Sequence, residues 1–142
     1  MRIVLDTNVV LDVLLAREQF VAAAAEVFAL AERSEVEGFL CATTVTTVDY
    51  LVGQRLPAAD ARQAIWRLLS LFDVAVVNRA VIERALRSKI ADFEDAVLDE
   101  AGQLAGAETI VTRDTKDFRH AQLKVLDPQE FLSHLRSRRR SR

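Results

Sequence analysis

Five short apolar runs set the frame of this chain: Ile3-Val4-Leu5, residues 39–42, residues 74–77, Thr109-Ile110-Val111 and Val125-Leu126. Each is strand-sized, and an unbroken apolar run suits a strand buried on both faces. The stretches between them are too long for hairpins, and most carry helix signals, so crossover connections follow. The expected fold class is α/β, a mostly parallel central sheet of about five strands flanked by helices.

Helices are expected over residues 9–15, 20–31, 45–54, 57–72, 78–86, 93–104 and 128–136. Pro57 and Pro128 stand where a helix tolerates proline, at its first position. Asp127-Pro128-Gln129-Glu130 reads as a capping box, Asn78 as a cap, and Gly106 as a stop signal. The Thr-rich segment from Thr43 has the β-branched content of a strand. Threonines ahead of an apolar run also cap helices, and the helix is preferred. Ile65, Trp66, Leu68, Leu69 and Phe72 recur at helical spacing and are assigned to the core, together with Tyr50 and Cys41. His120 and His134 are assigned to the surface.

Composition narrows the class. The 142 residues are 51% hydrophobic and 28% charged, which suits one domain with a real core. A single domain is expected over residues 1–135, with a basic, disordered tail over 136–142. The formal net charge is −2, yet five arginines lie among the last seven residues, so the body alone carries −7. Such a body binds phosphates poorly unless cations or the tail intervene. One cysteine and two late histidines exclude a thiolate cluster and a His-rich zinc site. No membrane span or signal peptide is apparent, and a cytoplasmic protein is expected.

The acids fall at telling places on this topology. Asp6 ends the first strand, Asp49 lies in the helix after the second, Asp92 and Asp95 open the helix after the third, and Asp114 follows the fourth. Asp117 is three residues further on. A parallel sheet gathers such junctions at one edge, where open α/β sheets place ligand sites. Two carboxylates about 6 Å apart repel by roughly 3 kcal/mol at an effective dielectric near 20. A convergent set therefore calls for protonation or a cation, and oxygen-only ligands select Mg²⁺ or Mn²⁺. That chemistry suits phosphodiester hydrolysis by water activated at the ion. Simpler readings stand beside it. Asp, Thr and Asn before a helix also cap it, and Asp92, Asp95 and Asp99 share a helix face that would serve equally as a solvated one.

Asp6-Thr7-Asn8 after the first strand, an acid in the helix after the second, Asp92-Phe93-Glu94-Asp95-Ala96, and Thr112-Arg113-Asp114-Thr115-Lys116-Asp117-Phe118 together resemble the PIN domain family. More narrowly, the chain is similar to the VapC-type toxin ribonucleases of toxin–antitoxin pairs, from Arg2 to about Leu132. The resemblance implies an endoribonuclease dependent on Mg²⁺ or Mn²⁺, usually dimeric, and inhibited by a small cognate antitoxin. It makes Asp6 the central metal ligand with Asn8 as its polar support. Asp95 and Asp114 match further metal-site acids, and Thr112 would orient ligands or water. Asp92 and Asp117 are secondary candidates. Asp49 stands where the family more often has glutamate, one methylene longer. That shortening keeps a second reading open, a PIN-like module that binds RNA or a protein without turnover. A phosphatase or receiver domain with Asp6 as phospho-acceptor fits less well, because Asn8 occupies the place of the second aspartate. The arginine tail is a solubilising end, or else a clamp on RNA phosphates.

Overall fold

The computed structural model describes residues 1–141, and Arg142, the last residue of the expected tail, lies outside them. The chain alternates as expected. β1 (Arg2–Leu5) leads into α1 (Thr7–Leu14) and α2 (Val21–Glu32), and β2 (Glu37–Cys41) into α3 (Ala42–Gly53) and α4 (Ala58–Leu71). Next come β3 (Asp73–Ala75), α5 (Arg79–Leu86), α6 (Phe93–Leu104), β4 (Thr109–Val111), β5 (Lys124–Leu126) and α7 (Pro128–Arg140). All four strand pairings are parallel, in the order β3-β2-β1-β4-β5. β1 is thus central. The chain winds outward from it to β3 on one side and restarts at β4 on the other, which makes the β1–β4 edge the switch point where such sheets form clefts.

Side chains of β1 alternate between two cores, as the pleat requires. Ile3 and Leu5 pack with α1, α2, α3, α4 and α7 residues such as Val10, Val27, Val48, Leu68 and Phe131. Val4 faces the other way, into a core completed by Val81, Ala85, Val97 and Leu98 of α5 and α6. At Gly38 a Cβ would stand 2.5 Å from a Phe72 ring carbon, so only glycine admits that ring. No helix among the described residues is long and apolar enough to cross a membrane.

Three expectations need correcting. Trp66, Tyr50 and Leu69 are not core residues but 71%, 66% and 41% exposed. α4 turns Ala61 and Leu68 inward, and Trp66 lies off that stripe. β3 begins one residue early and ends at Ala75, which leaves Val76 exposed. The last helix does not end at residue 136, since α7 continues to Arg140. Arg136, Arg138 and Arg139 form ion pairs with Glu26, Glu108 and Glu35. Glu35 precedes β2 and Glu108 precedes β4, so the end of α7 lies at the amino edge of the sheet, away from the strands' carboxyl ends.

Candidate active site

The β1–β4 ladder ends with Leu5 opposite Val111, and the next residue on each strand is polar. Asp6 and Thr112 are therefore delivered side by side, and Thr112 Oγ1 donates to Asp6 Oδ2 at 2.8 Å. The other Asp6 oxygen accepts from Thr7 N at 2.8 Å and caps α1. Asn8, in the first turn of α1, donates through Nδ2 to Asp114 Oδ2 at 3.1 Å. The same amide nitrogen is 3.4 Å from Asp6 Oδ2 and from Thr112 Oγ1, at the weak end of the range. Asn8 Oδ1 accepts Arg113 N at 3.2 Å, and Thr112 Oγ1 accepts Asp114 N at 3.0 Å. Four of the expected residues thus form one network.

α6 brings the second group. Asp92 caps it by accepting Asp95 N at 3.0 Å, and Asp95 follows in the first turn. The Asp95 carboxyl is pushed up to about 7, first by burial and then by the charges of Asp6, Asp92, Asp117 and Glu94. Burial also raises Asp6; hydrogen bonds from Thr112 and Thr7 oppose this, and Asp114 and Glu94 add to it. Asp6, Asp92, Asp95, Asp114 and Asp117 therefore share one field of negative charge at the carboxyl edge. Asp117 sits in the turn after Asp114, its N–H donating to Asp114 O at 3.0 Å.

Asp49 is not brought into this set. α3 buries Thr44, Val48 and Val52, so its neighbours in sequence point to opposite flanks, about 100° per residue apart. Thr47 takes the α6 flank and donates to Glu94 Oε1 at 3.1 Å. Asp49 takes the α4 flank, where Arg62 Nε lies 3.3 Å from its Oδ1.

Two further residues escaped the sequence reading. Glu94 stands inside the Asp92–Ala96 motif, but the sequence gives it no role there. Asp12 is fully buried, and Arg113 Nε and Nη2 reach it at 2.7 and 3.2 Å. Arg17 Nη1 is 3.4 Å away, and the Arg113 guanidinium stacks 3.8 Å from the Phe20 ring centre. The available signal was a lone acid in the otherwise apolar stretch from Val9 to Leu15. Asp99, by contrast, leaves the solvated face assigned to it. It is 1% exposed and accepts from Gln103 Nε2, Gln122 N and Leu123 N, which ties α6 to the chain before β5.

Among the described residues, no three acidic, histidine or cysteine side chains stand close enough to ligate one ion together. The donor set still fits Mg²⁺ or Mn²⁺. Every donor is oxygen, and Mg²⁺ takes one or two carboxylates and keeps its waters. Burial first and neighbouring carboxylates second raise Asp6 and Asp95, and a bound cation would favour their charged forms.

The raised Asp95 carboxyl has a measurable consequence in metal-free protein. A carboxyl raised from 3.8 to about 7 holds its proton in the folded state across that window. Folded protein then binds more protons than unfolded, so stability falls as pH rises from about 4 to 7. Asp95→Asn removes this group's contribution to the slope. In thermal melts with chelator, the variant should match the wild type near pH 4 and melt a few degrees higher at pH 8. Parallel curves for the two proteins would refute the assignment.

Comparison with known proteins agrees with this fold. The chain resembles a chain of VapBC2 from Rickettsia felis bound to a promoter DNA fragment, at TM-score 0.69 and 15% identity, covering 89% of this chain and 98% of that one. A toxin–antitoxin complex from Klebsiella pneumoniae matches at TM-score 0.66 and 25% identity, covering 88% and 96%. FitAcB from Neisseria gonorrhoeae matches at TM-score 0.64 and 21% identity, covering 89% and 98%. Among curated protein sequences there is no match. A profile of the PIN domain matches residues 2–116, a span that holds Asp6, Asn8, Asp92, Asp95, Thr112 and Asp114, and the chain belongs to the PIN domain family.

Proposed function

We propose that this protein is a divalent-metal-dependent endoribonuclease, the toxin of a type II toxin–antitoxin pair. One observation carries the reading: Asp6, at the end of the central strand, shares a hydrogen-bond network with Asn8, Thr112 and Asp114 and a field of charge with Asp95. Asp6, Asp95 and Asp114 would hold Mg²⁺ or Mn²⁺, one or two of them directly and the rest through the ion's waters, with Glu94, Asp92 and Asp117 around them. Bound there, the ion supplies an activated water and offsets charge on the phosphoryl oxygens. Thr112 fixes the Asp6 carboxylate, and Asn8 spaces Asp6 from Asp114, which otherwise repel. The water oxygen bonds to phosphorus, the P–O3′ bond breaks, and the proton ends on the 3′-oxygen. The products are a 5′-phosphate and a 3′-hydroxyl, with no use of the ribose 2′-hydroxyl.

The partners of this reading are an RNA substrate, a cognate antitoxin protein and a second copy of the chain, in the cytoplasm. The toxin–antitoxin complexes among its structural neighbours support the antitoxin. Exposed Tyr50 and Trp66 on α3 and α4 offer a surface for a homodimer. The Asp49–Arg62 pair favours a second reading, a PIN-like module that grips RNA or a partner without turnover. Incubation of the purified chain with RNA separates the two. The nuclease leaves 5′-phosphorylated fragments with Mg²⁺ or Mn²⁺ and none with chelator, and activity returns on adding back the ion. Intact RNA under every ion condition would leave only the module.

A further inference from the structure

A cleft of about 640 Å³ lies beside α6, lined by Arg84, Arg87, Lys89, His120, Gln122 and Asp99, among others. Arg84, Arg87 and Lys89 are exposed and form no ion pair among the described residues. Arg119 Nε stands 3.3 Å from His120 Nε2 and adds a cation at the rim. The lining anions, Asp99 and Glu100, offset only part of this charge, two against the three cations Arg84, Arg87 and Lys89. Both Asp99 oxygens are already engaged with Gln103, Gln122 and Leu123, which holds that carboxyl against the cleft wall.

The cleft adjoins the acidic rim through three segments. Lys89 is three residues from Asp92 and His120 three from Asp117, at most about 11 Å between Cα atoms. Asp99 is one turn of α6 from Asp95, about 6 Å along the axis. An RNA strand approaching the rim meets repulsion from a body of charge −7 and needs cations close by. Arg136, Arg138 and Arg139 of the tail do not supply them, because they are paired at the opposite edge of the sheet. We propose that the cleft between α5 and the β4–β5 loop is a phosphate-binding subsite, in which Arg84, Arg87 and Lys89 hold the RNA strand flanking the scissile bond. The ligand class rests on the nuclease reading.

The test uses the full chain and a fluorescein-labelled single-stranded RNA of mixed sequence. Binding is measured against salt with Mg²⁺ present, in an Asp6→Asn background so that the probe stays intact. Each phosphate contact contributes about 0.7 to the slope of log K against log salt, or about fivefold in affinity at 0.1 M relative to 1 M. The Arg84→Gln/Arg87→Gln/Lys89→Gln triple variant should lose about 2 units of slope and bind about a hundredfold more weakly at 0.1 M. With Asp6 restored, the triple variant should raise KM for long RNA and leave kcat within twofold. A substrate too short to reach the cleft should be cut equally by both proteins. Unchanged slope and affinity in a folded triple variant would overturn the subsite, as would a loss confined to poly-glutamate binding. RNA bound through the cleft but never cut sinks the nuclease reading and keeps this one; RNA cut with unaltered affinity in the triple variant does the reverse.

Discussion

Asp6→Asn is expected to lower RNA cleavage at least about a thousandfold while the protein stays folded. The side chain is 8% exposed, and its two oxygens divide the work between the α1 cap and the Thr112 contact. Asparagine is isosteric and keeps one carbonyl acceptor, so the cap survives. Its amide nitrogen then falls where Oδ2 was, beside Thr112 Oγ1 and Asn8 Nδ2. Losing one hydrogen bond costs about 1 kcal/mol. Removing a charge that burial and two neighbouring carboxylates disfavour offsets this, so the melting temperature at pH 8 should hold or rise. Catalysis has no such compensation. The central anion for the cation is gone, and a factor of a thousand corresponds to about 4 kcal/mol of transition-state stabilisation. Cleavage and melting should be measured on the same preparation. More than a tenth of wild-type activity in a folded variant would remove Asp6 from the centre of the chemistry.

How far the chain was legible depended on whether a signal was local. Strand runs, the Asn78 cap, the Asp127–Glu130 box and the limits of α6 are written in neighbouring residues, and the structure reproduces them. Asp6, Asn8, Thr112 and Asp114 were legible because a parallel sheet brings strand carboxyl ends together whatever the intervening helices do. Residues whose role depends on a partner far along the chain were harder. Asp99 shares the helical phase of Asp95, yet the backbone of Gln122 and Leu123 closes over it. Trp66 has the spacing of a core residue on α4, but the buried stripe of that helix is narrower than its apolar one. Asp49 holds the expected position, and only the packing of α3 against α4 sets Arg62 in front of it. The arginine-rich end lacked apolar content, and its helix gains ion pairs to glutamates over 100 residues upstream and 30 residues upstream.

Asp12→Ala is expected to cost about 3 kcal/mol of stability and to weaken the site without touching any acid in it. Deleting one partner of a buried ion pair typically costs about 3–5 kcal/mol, because the other charge is left uncompensated. Arg113 is 26% exposed and Arg17 37%, so both guanidiniums recover some hydration and the low end applies. For a domain of this size the loss amounts to a fall of roughly 10 °C in melting temperature. The activity effect follows from the backbone. Arg113 N–H is held by Asn8, Arg113 lies between Thr112 and Asp114, and its guanidinium is pinned by Asp12 below and Phe20 beside it. Freeing that side chain loosens the segment that sets Thr112 against Asp6, and misplacement near 1 Å can cost about a hundredfold in rate. Asp12→Asn keeps the shape and one acceptor, so it should lose less stability and retain more activity. In a double-mutant cycle with Arg113→Ala, the two changes should be coupled by more than about 1 kcal/mol. Additive losses would mean that Asp12 merely fills space beneath the loop, and that the position of Thr112 is set by the β1–β4 ladder alone.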